Sequence, residues 1–369
     1  MVLQLVWLGA AVLAGGPTGS APAQSDTYAV TARELWLAPG ERVENGVLWV
    51  EAGKIRGVGR DLDVPEGTPR IAHDGVVSAG MIAFDSALGL RGEGREAKRS
   101  VHPEGRVADV FDASVTGVGD ALEQGITALV VTPSAEHLVG GRSAVIKTAH
   151  RTVLSDSAHL ALGLSDAALD QGLFPTSKSG AMAELVALFE AGENAFGEAA
   201  AGRLPVLIEV GERDDVRRAL GLVERFELRG VISGSRRAGE LAEPLAASGL
   251  TVAVGPFLNG TPRRELDGVV ALASAGVPLC FALEAPWRHP AGLRISAAMA
   301  MRAGLPAEAA WTGLTSGAAE AAGVDARVGR LAEGLDADFV LWSGDPLDLS
   351  HRPVAVFVDG ARVWQGGAR

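Results

Sequence analysis

Three carboxylates stand first among the residues that could do chemistry, because each directly follows an apolar, β-prone run. Asp85 follows Met81-Ile82-Ala83-Phe84, Glu209 follows Val206-Leu207-Ile208, and Glu284 follows Cys280-Phe281-Ala282-Leu283. Lys147 ends a fourth such run, Ala144-Val145-Ile146. In a parallel β/α protein the side chains at the C-terminal ends of strands face one cavity, so this pattern predicts three acids around a common site with Lys147 alongside. Such a set could hold Ca²⁺, Mg²⁺ or Mn²⁺, which hard oxygen ligands suit better than Zn²⁺. It could equally work as a metal-free acid/base site, since crowded carboxylates raise one another's pKa. The competing reading is that the acids have no chemical task and are neutralised by Lys147, Arg142 or water. Three acids on separate strands carry no spacing signature that decides among these.

Other chemistries find less support. The seven histidines include no pair at i, i+2 or i, i+4 on a strand end or helix face, so they read as loop or surface imidazoles. The chain has no Gly-x-Ser-x-Gly elbow, no Gly-x-x-x-x-Gly-Lys-Ser/Thr loop and no Cys-x-x-Cys. The charged run Arg91 to Arg99 reads as a solvated loop whose basic side chains could meet an acidic ligand. Arg142 and Trp287 are the candidates for ligand contact, Trp287-Arg288-His289 being placed to line a pocket mouth.

The elements that must position these residues change character twice along the chain. Tyr28 to Leu37, Gly46 to Glu51, Lys54 to Val58 and Arg70 to Val77 are short β-prone runs separated by Gly, Pro and Asn turns. From Gly80 to about residue 328, apolar runs at 126–131, 144–148, 205–210, 230–232, 250–254 and 278–283 alternate with helical segments at 181–200, 214–226, 240–248, 263–275, 293–303 and 307–314. Strands alternating with helices over about 250 residues predict a (β/α)₈ barrel. An open doubly wound sheet would want a Gly-x-Gly-x-x-Gly turn after its first strand, and none stands there. Beyond Gly329 the pattern returns to β, with Phe339 to Trp342 and Val354 to Trp364 turning at Asp359-Gly360. Residues 24–79 and 329–369 are therefore expected to form one small β-sandwich from both chain ends, carrying the barrel of residues 80–328.

Several segments resemble the metal-dependent amidohydrolase superfamily, and within it the exported, imidazolonepropionase-related group. Gly80-Met81-Ile82-Ala83-Phe84-Asp85-Ser86-Ala87-Leu88-Gly89 is similar to that superfamily's Gly-Leu-Ile-Asp-x-His-x-His-Leu-Gly. The stretches Gly329 to Trp342 and Gly344-Asp345-Pro346-Leu347-Asp348 resemble its C-terminal strand signature, and Gly140 to Thr148 looks like its third-strand region, with Lys147 kept. The resemblance implies a barrel that hydrolyses non-peptide carbon–nitrogen bonds with metal-bound water. It also implies that the ligands have been replaced. Asp85 and Ala87 stand in the first histidine motif, Glu209 and Gly211 in the His-x-His of Leu204 to Gly211, Gly234 in the Val-Ile-Glu-His-Gly segment, and Glu284 in place of the aspartate that serves as ligand and general acid/base. The resulting expectation is a degenerate amidohydrolase with no cofactor. It would bind a small molecule in the barrel, or act as a subunit in a homo- or hetero-oligomer with an active paralogue. The alternative is an active hydrolase using Asp85, Glu209 and Glu284 with or without a divalent cation (Mn, Mg, Ca or Zn), in which Glu284 and Lys147 are the catalytic candidates.

Composition narrows the partners. A formal charge of -12 argues against nucleic acid or anionic membrane, both of which require a basic face. With 47% hydrophobic residues and a mean hydropathy of +0.20, the chain is expected to fold around a large core. Val2 to Ala14 is a continuous apolar run, and Ala21-Pro22-Ala23 reads as a cleavage site, so residues 1–23 read as a secretory signal although no Lys or Arg precedes the run. The mature chain is then periplasmic or extracellular and free of the membrane. The single cysteine, Cys280, can form no internal disulfide.

Overall fold

The computed structural model describes residues 26–367 except 92–95, 97, 170 and 171. The secretory signal expected over residues 1–23 and the centre of the charged run at 91–99 lie outside the described residues. Strands β1 (Thr27–Ala38), β2 (Glu41–Glu51), β3 (Lys54–Gly59) and β4 (Arg70–Ala79) begin a sheet that the far end of the chain completes. Ala52-Gly53 turns β2 into β3, with φ of 48° and 77°, a left-handed pair that matches the twist of a tight hairpin.

The barrel starts immediately afterwards with β5 (Met81–Ser86) and β6 (Ile126–Val131), then β7 (Val139–Arg142), β8 (Ala144–Lys147) and β9 (Val153–Ser155). It continues through β10 (Leu160–Gly163), β11 (Val206–Glu209), β12 (Gly230–Ser233), β13 (Thr251–Val254) and β14 (Leu279–Phe281). β6 is buried at every position, as a strand covered on both faces must be, which is why it reads as an unbroken apolar run. Strands β10 to β14 pair in parallel, and β5 pairs with β6 in parallel. Closure comes where β14 meets β5: Leu283 N–H donates to Phe84 O at 2.8 Å, and Glu284 N–H to Asp85 O at 2.8 Å. Ile82, Phe84, Ala128, Val130, Val145, Leu207, Val231, Ala253, Cys280 and Ala282 point inward and fill the barrel as packed core. The side chains of Ala318, Ala319 and Val328 join the same cluster and plug one end.

The sequence pattern implied uniformly parallel staves, and the structure differs at the third. β8 pairs antiparallel with β6 (Ala128 opposite Lys147), and β7 pairs antiparallel with β10 (Leu160 opposite Arg142). Periodicity reports burial and not direction, so the reversal was invisible in the sequence. The strand β10 was also missed, because Leu160-Ala161-Leu162-Gly163 is short and lacks β-branched residues.

After the barrel, β15 (Phe339–Trp342), β16 (Pro353–Val358) and β17 (Ala361–Gln365) join the first sheet in the order β17-β16-β15-β4-β1-β2-β3. Both chain ends thus build one seven-stranded sheet, the composite β domain expected of residues 24–79 and 329–369. The sheet curls so that both wings share a core: Phe339 stacks on Phe357 at 4.4 Å, and Tyr28 Oη donates to Gly360 O at 2.6 Å. Helices fall at 178–191, 194–200, 213–226, 242–248, 263–274, 292–303 and 307–314, close to their expected places, and two more, at 116–123 and 316–321, were not expected from the sequence. Gly192, at φ 63°, splits the segment expected as a single helix over 181–200. Among the described residues no helix is long and apolar enough to cross a membrane.

Candidate functional site

Asp85, Glu209 and Glu284 meet at the mouth of the barrel, on the ends of β5 and β11 and just past β14. Asp85 and Glu284 both adopt left-handed backbone, at φ 51° and 49°, and are joined by the hydrogen bond that closes the barrel. Two adjacent non-glycine residues in that region store strain that only over-determined surroundings can hold, a pattern concentrated at functional sites. Burial raises the Asp85 carboxyl above its ordinary value, and hydrogen bonds from Thr132 and Ser233 work against that. Thr132 Oγ1 donates to Asp85 Oδ1 at 3.1 Å.

Glu209 is pushed up to about 7, first by burial, with a hydrogen bond from Ser165 opposing and the charge of Asp85 adding. Its Oε2 is buried without a hydrogen-bond partner. Glu284 is raised by burial and by Asp85, while Arg288 and Arg236 pull it down. The charge of Asp85 thus raises both glutamates. Asp85 and Glu209 line a cavity of ≈ 20 Å³ with Thr132, His137 and Ser233 among others, room for about one water molecule.

His137, read from sequence as a loop imidazole, is buried beside this cavity. Its Nε2 lies 2.7 Å from Glu96 O, and its ring meets His102 edge-on at 4.7 Å. The rule that pointed to Asp85 could have found it, since His137 lies in the loop after β6. Thr132, Ser165 and Ser233 were missed for a different reason: lone hydroxyls at strand ends carry no motif.

Lys147 and Arg142 are not at the mouth, and the reversed stave explains both. Running antiparallel, β8 ends level with the start of β6, so Lys147 emerges at the opposite end of the barrel. There it is fully buried and donates to Asp336 Oδ2 at 2.8 Å, Asp338 Oδ1 at 3.0 Å and Asp359 Oδ1 at 2.5 Å. Burial alone would lower its ammonium, but the charge of Asp338 and hydrogen bonds to all three aspartates reverse this and raise it. Arg142 bonds Ser157 at 2.9 Å and pairs with Glu198 at 3.1 Å. Trp287 does lie at the mouth, on the loop after β14, and is 85% exposed.

A hydrolytic metal centre needs three or four ligands and an open position for water. Among the described residues no three His, Cys, Asp or Glu side chains are grouped so as to hold an ion, and the acids offered from sequence as oxygen ligands do not form such a group. The backbone at the position that the resemblance assigns to a histidine is also unsuited to one. Gly234 sits at φ 85°, and a Cβ there would lie 2.7 Å from Val210 O and 3.0 Å from Glu209 Oε1. A histidine does not fit at that position while Glu209 occupies its present place. The mouth therefore does not fit the metal that the resemblance implies.

Comparisons with known proteins agree with this architecture. Residues 237–363 match the family described as "Amidohydrolase family". An imidazolonepropionase of Acidiphilium cryptum (strain JF-5) is 34% identical over 169 residues, 43% of this chain and 41% of that protein. Amidohydrolase tasK of Hapsidospora irregularis is 39% identical over 66 residues, 18% of this chain and 7% of that protein. The matched stretches span less than half the length of these curated relatives. Among solved structures, an amidohydrolase from Thermotoga maritima MSB8 superposes with a TM-score of 0.83 at 21% identity, covering 92% of this chain and all of that one. Aspergillus niger ochratoxinase follows the same fold, with a TM-score of 0.63 at 15% identity over 93% of this chain and 97% of the other. A barrel closed at β5 and β14, a flanking sheet from both chain ends and these matches point the same way: residues 237–363 match the amidohydrolase family in sequence, and the described chain shares the fold of solved amidohydrolases.

Proposed function

We propose that this protein is an imidazolonepropionase-related amidohydrolase that has given up metal-dependent hydrolysis and uses the barrel mouth to bind a small molecule. What supports this reading is the donor set: three acids whose carboxyls are raised by burial, two of them hydrogen-bonded to hydroxyls, lie at the strand ends where the resemblance implies imidazoles, and no three His, Cys, Asp or Glu among the described residues are grouped to hold an ion. The reading includes export of the mature chain, and allows pairing with a metal-bearing paralogue. A second reading rests on Glu209, whose buried, unpartnered Oε2 beside Asp85 is placed for metal-free proton transfer to a bound ligand.

Metal content separates these from the ancestral chemistry. The full chain, purified without chelator and challenged with Zn²⁺, Mn²⁺, Mg²⁺ and Ca²⁺, is expected to retain less than about a tenth of an equivalent by mass spectrometry, because the mouth supplies no closed ligand set. Near-stoichiometric metal that is lost in Glu284→Ala, together with turnover of an amide or lactam, overturns the reading. Metal-free turnover that is abolished by Glu209→Gln favours the second reading over the first.

A further inference from the structure

The loops after β12 and β14 carry a feature that the three acids do not explain. Arg236 lines one cavity with Glu284, and Arg288 stands four residues beyond Glu284 on the loop after β14; the charges of both lower the Glu284 carboxyl, yet neither is ion-paired with it or with any other described residue. Arg288 is half-buried, and its Nε is buried without a hydrogen-bond partner. A guanidinium in that state is costly unless something accepts from it. Elsewhere on this surface arginines find carboxylates within a few residues, as Arg237 does with Glu240 at 2.7 Å and Arg263 with Asp267 at 2.7 Å.

Arg236 and Glu284 line a cavity of ≈ 30 Å³ with Ser235, Gly255 and Phe257, room for about two water-sized groups such as the oxygens of a carboxylate. The cavity's other acid, Glu265, lies in the first turn of the helix Arg263–Ser274, where the peptide dipoles favour its charge. On the loop that carries Arg288, three residues past the cavity-lining Glu284, Trp287 presents an exposed aromatic face.

We infer that Arg236 and Arg288 form the anion-recognising half of the mouth, taking the carboxylate of an organic acid whose apolar body lies outside the cavity against Trp287. This deepens the proposed binding role and rests on it. Two guanidiniums on separate loops suit a carboxylate, whose two oxygens each accept a planar N–H pair. The raised affinity of Glu284 for a proton helps, since a neutral Glu284 does not repel the incoming anion.

The test uses the full chain and calorimetric titration with indole-3-acetate and benzoate, against indole, benzyl alcohol and inorganic phosphate. Both aromatic carboxylates are expected to bind, and their uncharged analogues are expected to bind at least about tenfold more weakly. Arg236→Gln and Arg288→Gln are each expected to weaken the carboxylates about tenfold, the size of one charge-assisted hydrogen bond, with no change for the uncharged analogues. Trp287→Ala is expected to weaken the carboxylates and leave phosphate unaffected. Arg33→Gln, on the far sheet, serves as the control and is expected to change nothing. Binding that is indifferent to both mouth arginines overturns the inference, as does failure of both carboxylates to bind at about 10 mM, the bottom of useful affinity. Phosphate binding as tightly as the carboxylates, with Trp287→Ala silent, overturns the choice of an organic acid. Metal uptake with hydrolysis would overturn the proposed function while leaving the arginine result to stand or fall by itself.

Discussion

Lys147→Met is expected to lower the folding stability by about 3–5 kcal/mol in urea or thermal unfolding, the largest single-residue effect the fold predicts. The magnitude follows from what remains behind. Asp336 and Asp338 are 2% and 4% exposed, and Lys147 is the fully buried cation that both accept from. Asp336 keeps Arg327 at 2.7 Å and also Lys54, so its share of the loss is cushioned. Among the described residues Asp338 is held by Lys147 and by the Asp359 N–H, which donates at 2.7 Å; burial already raises its carboxyl to about 6, so without Lys147 it must either stay charged with half its support or take up a proton, and both cost stability. A second substitution separates this mechanism from lost packing. Asp338→Asn in the Lys147→Met background is expected to recover part of the deficit, because it removes the orphaned charge. If Lys147→Met costs less than about 1 kcal/mol, the network is a surface-like ion pair and the account is wrong. The same network joins the barrel to the sheet, since Lys147 ends β8 while Asp338 and Asp359 flank β15 and β16. The acids of the C-terminal signature therefore serve cohesion between the two parts of the chain.

Glu209→Gln is expected to change how stability depends on pH. Glu209 takes its proton at about 7 in the folded chain against an ordinary 4.5, so folding favours the protonated form. Between those values the folded state holds more protons than the unfolded one, and stability falls as pH rises, which makes the stabilising contribution complete below about pH 4.5 and absent above about pH 7. A shift of that size corresponds to about 2–3 kcal/mol across the window. The glutamine variant cannot ionise, so its stability is expected to decline less between pH 5 and pH 8 by about that amount, and to exceed that of the parent at pH 8. Asp85 and Glu284, both raised by burial, leave a residual slope in the variant. Parallel curves for parent and variant, measured by urea unfolding across this range, would show that Glu209 titrates normally and that the acids at the mouth are not coupled.

The amino-acid order determined the classes of element and the residues that end at the mouth. Continuous apolar runs such as Ile126 to Val131, alternating with amphipathic helical segments, require strands covered on both faces, and a barrel is the economical way to cover them. Because side chains at strand ends follow directly from strand position, the sequence places Asp85, Glu209 and Glu284 at or just past the ends of their strands. The return to β pattern after Gly329 likewise showed that both chain ends share a sheet.

Tertiary structure decided what hydrophobic pattern does not encode, namely direction and proximity across the chain. The reversal of β7 and β8 sent Lys147 and Arg142 away from the acids, because an antiparallel stave delivers its last residues to the opposite end of the barrel. His137 joined the site, and Lys147 joined Asp336, Asp338 and Asp359, through contacts between residues far apart in sequence. The unpaired state of Arg236 and Arg288 is of the same kind. A sequence shows which residues carry charge, but the loops that fold around them decide whether each charge is answered.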